Sequence, residues 1–175
     1  MMIKNEGFTL IEIIVSLAIF SFIMIVVVSF LFATNFSNTR SKADRETQEN
    51  ARRLLDQIVY EAKSAKGIYT STTTSSQLSL ETTHYLPTGE TTTYIDFFLC
   101  GSDLKSLCLK KESQNPIVLN SDSVQITSLT FTTLLNNGTI PSLQIALTVG
   151  SKNSSSDPAN SASISLSSTV SIRSN

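Results

Sequence analysis

The 175-residue sequence contains no tryptophan, one histidine (His84), two cysteines, six glycines and four prolines. So thin a supply of imidazoles and thiols argues against most metal sites and most nucleophile–base catalysis. Charge is scarce as well: Asp, Glu, Lys and Arg make up 15% of the chain, against about 25% in soluble domains. The net charge of −1 leaves no electrostatic footprint for nucleic acid, and no nucleic-acid binding is expected. No Gly-rich phosphate loop, nucleophile triad or carboxylate pair rises above chance, so no catalytic residue, cofactor or metal is assigned. Two features fill the space that charge leaves: an apolar N-terminal segment, and a second half crowded with Ser and Thr.

The apolar segment is long. The 27 residues Ile13–Thr39 carry no charge, which as a helix is roughly 40 Å against a hydrocarbon core of about 30 Å. A secretory h-region is only about 7–15 residues, and no A-x-A cleavage site follows. Residues 8–39 are therefore expected to span a lipid bilayer. Glu12 sits near the start of this segment, where a carboxylate costs about 2–3 kcal/mol even on lenient insertion scales. Such a charge needs a reason to be kept.

Charge returns at Arg40, Lys42, Asp44, Arg45 and Glu46, and the pattern becomes amphipathic. Ala51, Leu54, Leu55, Ile58, Val59, Ala62 and Ala65 recur at spacings of three and four, with Arg52, Arg53, Asp56, Glu61 and Lys63 between them. No Pro or Gly interrupts residues 8–66, and Gly67 follows as a C-terminal stop. The pattern predicts one long helix, apolar all round over 8–39 and one-faced over 40–66, loosened near Asn35, Ser37 and Asn38.

After Gly67 the period changes to two. Strands are expected over Gln77–Glu81, Thr93–Cys100, Ser106–Lys110, Val124–Leu134, Leu143–Val149 and Ser163–Ile172. Leu86–Gly89, Gly101–Asp103, Asn136–Gly138 and the stretch 150–161 carry turn signals. One antiparallel sheet with the 51–65 stripe covering one face gives an α+β chain, with residues 67–175 as its β-rich head.

Gly7-Phe8-Thr9-Leu10-Ile11-Glu12, ahead of an apolar helix, resembles the class III signal of type IV prepilins and type II secretion pseudopilins. The resemblance implies that residues 1–7 are a leader, cut between Gly7 and Phe8 by a prepilin peptidase that then N-methylates Phe8. It also implies a pilin-like fold, in which the distal half of a long helix packs on an antiparallel sheet. Other pilins or pseudopilins and an inner-membrane assembly platform are the implied partners. Glu12 lies four residues beyond the new amine and on the same helical face. In a filament, the resemblance implies, its carboxylate pairs with the Phe8 amine of a neighbouring subunit. Leu17–Phe20, Gln48, Ala51 and Leu55, with the ending Thr169–Arg173, resemble the J-type pseudopilin branch.

The expected role is a minor pilin or pseudopilin of a type IV pilus, competence pilus or type II secretion filament. The alternative is a membrane-tethered adhesin or sensor that does not polymerise. Arg40, Lys42, Arg45, Arg52 and Arg53 outnumber Lys4, so a positive-inside count places the head in the cytoplasm; long domains translocate regardless, and an extracytoplasmic head is expected. Cys100 and Cys108 flank a hairpin turn, which in an exported domain reads as a disulfide; two free buried thiols are the alternative. His84 reads as a solvated loop residue, Thr70–Ser76 and Ser151–Ser156 as flexible polar loops, and Lys110-Lys111 as strand-edge charge.

Overall fold

A computed structural model describes residues 9–86, 88–136, 140–152 and 161–172. The chain divides into two compact units, residues 1–39 and 40–175. Among the described residues one helix, α1 (Leu10–Ser64), is shared between them, and eight strands follow in the second unit.

In the first unit every described residue is exposed. The segment is long and apolar enough to cross a membrane by length and composition. Four of its hydroxyls are satisfied within the helix. Ser16 donates to the Ile13 carbonyl (2.9 Å), Ser21 to Leu17 (2.8 Å), Thr34 to Phe30 (2.9 Å) and Thr39 to Asn35 (3.0 Å). Such back-bonding removes most of the cost of a polar side chain in lipid. The loosening expected at Asn35, Ser37 and Asn38 is absent, because α1 runs through all three.

In the second unit α1 continues to Ser64 and buries one stripe: Ala51, Leu54, Leu55, Ile58 and Ala62. Two antiparallel sheets meet it, where one was expected. The first has the order β1 (Gly67–Ile68), β2 (Gln77–Thr82), β3 (Thr93–Cys100), β4 (Ser106–Lys111), β5 (Ile117–Val118). The second is β6 (Val124–Asn136), β7 (Ile140–Ser151), β8 (Ser163–Ser171). Alternation places Leu78, Leu80, Ile95, Phe97, Leu107 and Leu109 in the core from one sheet, and Ile126, Phe131, Ile145, Leu147 and Val170 from the other. At about 1.5–3 kcal/mol per fully buried large side chain, this shared core is what holds sheets and helix together.

Among the described residues the sheets are not strand-paired with each other, but two backbone bonds stitch them. Phe131 N–H donates to the Ser75 carbonyl (2.9 Å), and Ile126 N–H to that of Lys105 (2.8 Å). The Ser75 bond comes from a segment that is not a loose polar loop. Thr73 Oγ1 accepts from Ser79 N–H (3.1 Å) and Thr74 Oγ1 from Gln77 N–H (3.1 Å), so hydroxyls at 73–74 order the turn into β2. Gly67 does not stop the helix; α1 ends at Ser64, and Gly67 pairs with Glu81 in β1. Lys110 and Lys111 lie on β4, opposite Asp96 and Ile95 of β3, so they face an inner strand on one side; β5 reaches only Cys108 and Leu109 on the other. The turn expected at Asn136–Gly138 and most of 150–161 fall outside the described residues.

Candidate functional site

The N-terminal signal is built on the first turn of α1. The Thr9 carbonyl accepts from Glu12 N–H (3.1 Å) and Ile13 N–H (3.3 Å), which fixes the helical phase at Glu12. Glu12 is exposed, and it is the sole charge on the helix from Leu10 to Thr39. Around it Leu10, Ile11, Ile13, Ile14 and Val15 present apolar surface at 48–76% exposure. A single carboxylate in an otherwise apolar, uncovered turn has no stabilising role in an isolated chain. Gly7 and Phe8, the expected cleavage and methylation positions, lie outside the described residues.

Residues 2–28 match a family model described as the prokaryotic N-terminal methylation motif. The chain is type IV prepilin-like. That match takes in Gly7, Phe8 and Glu12 and stops within the apolar helix. Neither a curated protein nor a solved structure matches the chain. The family that carries the motif consists of structural pilins rather than enzymes.

In the prepilin-like chain, Cys100 and Cys108, eight positions apart in sequence, form a disulfide with Cα atoms 5.8 Å apart. It staples β3 to β4 beside the Gly101–Lys105 turn, where Gly101 has a φ of 90° that a side chain would strain. His84 is an exposed loop residue, edge-on to Tyr85 with ring centroids 6.1 Å apart.

Two polar arrangements on the distal helix were not legible as sites. The first clasps α1 to the β5–β6 connection. Asn50 Oδ1 accepts from Ser121 N–H (3.3 Å), Arg53 donates to the Leu119 carbonyl (2.8 Å), and Ser123 Oγ donates to Glu46 Oε1. The second centres on Glu61, which interrupts the polar pattern of the helix only on paper: it is buried, 4% exposed. Tyr85 OH donates to Glu61 Oε1 (3.4 Å), and Lys111 Nζ sits 3.4 Å from the Tyr85 ring centroid. The Glu61 carboxylate is the main reason the Tyr85 phenol is raised above its ordinary pKa, with burial adding to it. Glu–x₃–Ala spacing in the apolar stripe was the one available signal for Glu61, and it reads equally well as a solvated flank.

Proposed function

We propose that the chain is a minor pilin or pseudopilin, a non-enzymatic subunit of a type IV pilus, competence pilus or type II secretion filament. A prepilin peptidase cuts between Gly7 and Phe8 and methylates the Phe8 amine. Other pilins or pseudopilins, an inner-membrane assembly platform and the lipid bilayer are its partners. The chain is single-pass before assembly, with its head on the extracytoplasmic side, and afterwards resides in a filament or at the cell surface.

The observation that carries this reading is Glu12: one carboxylate in the first turn of an uncovered apolar helix, inside the methylation motif. Pairing with the Phe8 amine of an adjacent subunit relieves the cost of holding that charge in lipid, so docking is favoured over dispersal. The Cys100–Cys108 disulfide supports an oxidising, extracytoplasmic address for the head. Mass spectrometry of the mature N-terminus, with fractionation of sheared surface material, tests the proposal. Methyl-Phe8 and recovery in filaments are expected. An N-terminus still carrying residues 1–7, with all of the chain left in the membrane, would leave a tethered adhesin or sensor as the reading.

A further inference from the structure

The two sheets treat their edges very differently. β1 and β5 end the first sheet with two residues each, which is too short to template a new strand. The outer side of β6 is partly used, since the Phe131 and Ile126 amides are bonded to Ser75 and Lys105. β8 is the exception.

The phase of the β7–β8 ladder follows from one bond: Ser151 N–H donates to the Ala162 carbonyl at 2.8 Å. With the unbroken register Ser142↔Ser171 to Gly150↔Ser163, residues 164, 166, 168 and 170 exchange hydrogen bonds with β7. Ser163, Ser165, Ser167, Thr169 and Ser171 then direct both backbone groups away from the sheet. Their side chains are exposed, and among the described residues no backbone bond reaches them. The strand has no charge, no proline and no bulge, the usual devices that blunt an edge.

We propose that β8 is a docking edge that takes an extended strand from a different subunit of the assembly, an inference that rests on the filament reading above. A second copy is a poor occupant. β1 and β5 are too short and the outer side of β6 is already bonded at Ile126 and Phe131, so like copies pair best β8 to β8, and that two-fold arrangement makes the distal stretches of α1 run in opposite directions. Chains anchored in one membrane run the same way. The chemistry of the partner follows from the edge. It is a strand alternating Ser or Thr with apolar residues, the apolar set extending the stripe of Ile164, Leu166 and Val170. At the start of β8 a cavity of about 230 Å³ opens between Asp44 and Gln48 of α1 and Ser163 and Ile164. It has room for one side chain of the incoming strand, and the Asp44 carboxylate selects a basic one.

The test uses the full-length chain in its own cells, with a benzophenone photo-cross-linker in place of Ser165 and the linked peptides mapped by mass spectrometry. The expected product joins β8 to a strand of another subunit that carries an N-terminal methylation motif. Ser167→Pro removes an outward N–H without breaking a ladder bond, and Ser167→Lys adds edge charge; each should cut this product about tenfold with chain levels unchanged. Undiminished cross-linking in both variants would overturn the inference. So would products confined to a second copy, to lipid or to no protein at all. N-terminal mass measured on the same samples separates the two proposals: methyl-Phe8 without a β8 cross-link fails this inference alone, and an unprocessed N-terminus fails the filament reading.

Discussion

Cys100 and Cys108 are bonded diagonally across the β3–β4 hairpin. Cys100 lies directly opposite Ser106, and Cys108 opposite Phe98, so the disulfide joins residues two positions out of register on one face. The crosslink therefore resists sliding of one strand along the other as well as their separation. Because it encloses a short loop, loop-closure entropy predicts only about 2–3 kcal/mol of stabilisation. A Cys100→Ala/Cys108→Ala variant in detergent should lose that amount in chemical denaturation, and alkylation without reductant should label neither thiol of the parent chain. Equal midpoints for variant and parent would remove the disulfide from the stability account.

Glu12→Ala should insert in the membrane at least as well as the parent, since removing the carboxylate lifts a cost of about 2–3 kcal/mol. Leader cleavage should continue, because the proposed cut between Gly7 and Phe8 lies upstream of Glu12 in sequence. Recovery in sheared filaments should fall, since in the proposed filament charge pairing sets register between apolar helices that gain little from packing on each other rather than on lipid. Comparing the membrane, processed and filament fractions checks this; wild-type filament recovery would refute it.

Gly7→Leu should leave the precursor uncut and full length in the membrane, because the peptidase has to approach the backbone where no side chain stands. Immunoblotting or intact mass distinguishes the forms, and normal processing would withdraw the proposed cut site.

Tyr85 gives a pH prediction. The Glu61 carboxylate holds its phenol above the ordinary value of 10.0, so the folded chain keeps that proton where the unfolded chain releases it. The contribution to stability is complete below about pH 10 and is lost as pH rises through the higher folded value. Parent protein should therefore lose denaturation midpoint more steeply above pH 10 than Tyr85→Phe does. Tyr85→Phe should also be less stable at neutral pH, by about 1 kcal/mol, because Glu61 Oε1 loses its donor. Parallel alkaline profiles would show that the Tyr85–Glu61 bond is not sensed by folding.

What could be read from the chain alone depended on range. The β3 limits Thr93–Cys100 and the inward set Ile95 and Phe97 follow from alternation, and the helix from uninterrupted three–four spacing. These are local signals. β1 and β5 hold two residues each, too few to show a period. The break into two sheets depends on whether the edge of β6 pairs, which is decided by contacts with Ser75 and Lys105 far away in sequence. Glu61 looked like a solvated flank because its neutral partner, Tyr85, comes 24 positions later in a loop. The N-terminal signal was legible for the opposite reason: a motif recognised as a linear segment is written in adjacent residues.

The inward-bonded hydroxyls of α1 bear on mechanics. Between Ile13 and Val28 the only polar side chains are Ser16 and Ser21, and both spend their hydrogens on their own backbone. To a neighbouring helix this stretch is greased on every side, offering no bond that must snap before one rod slips along another. In the filament proposed above, a bundle of such rods would yield to a pull by gliding, where a hydrogen-bonded bundle would hold stiff and then break.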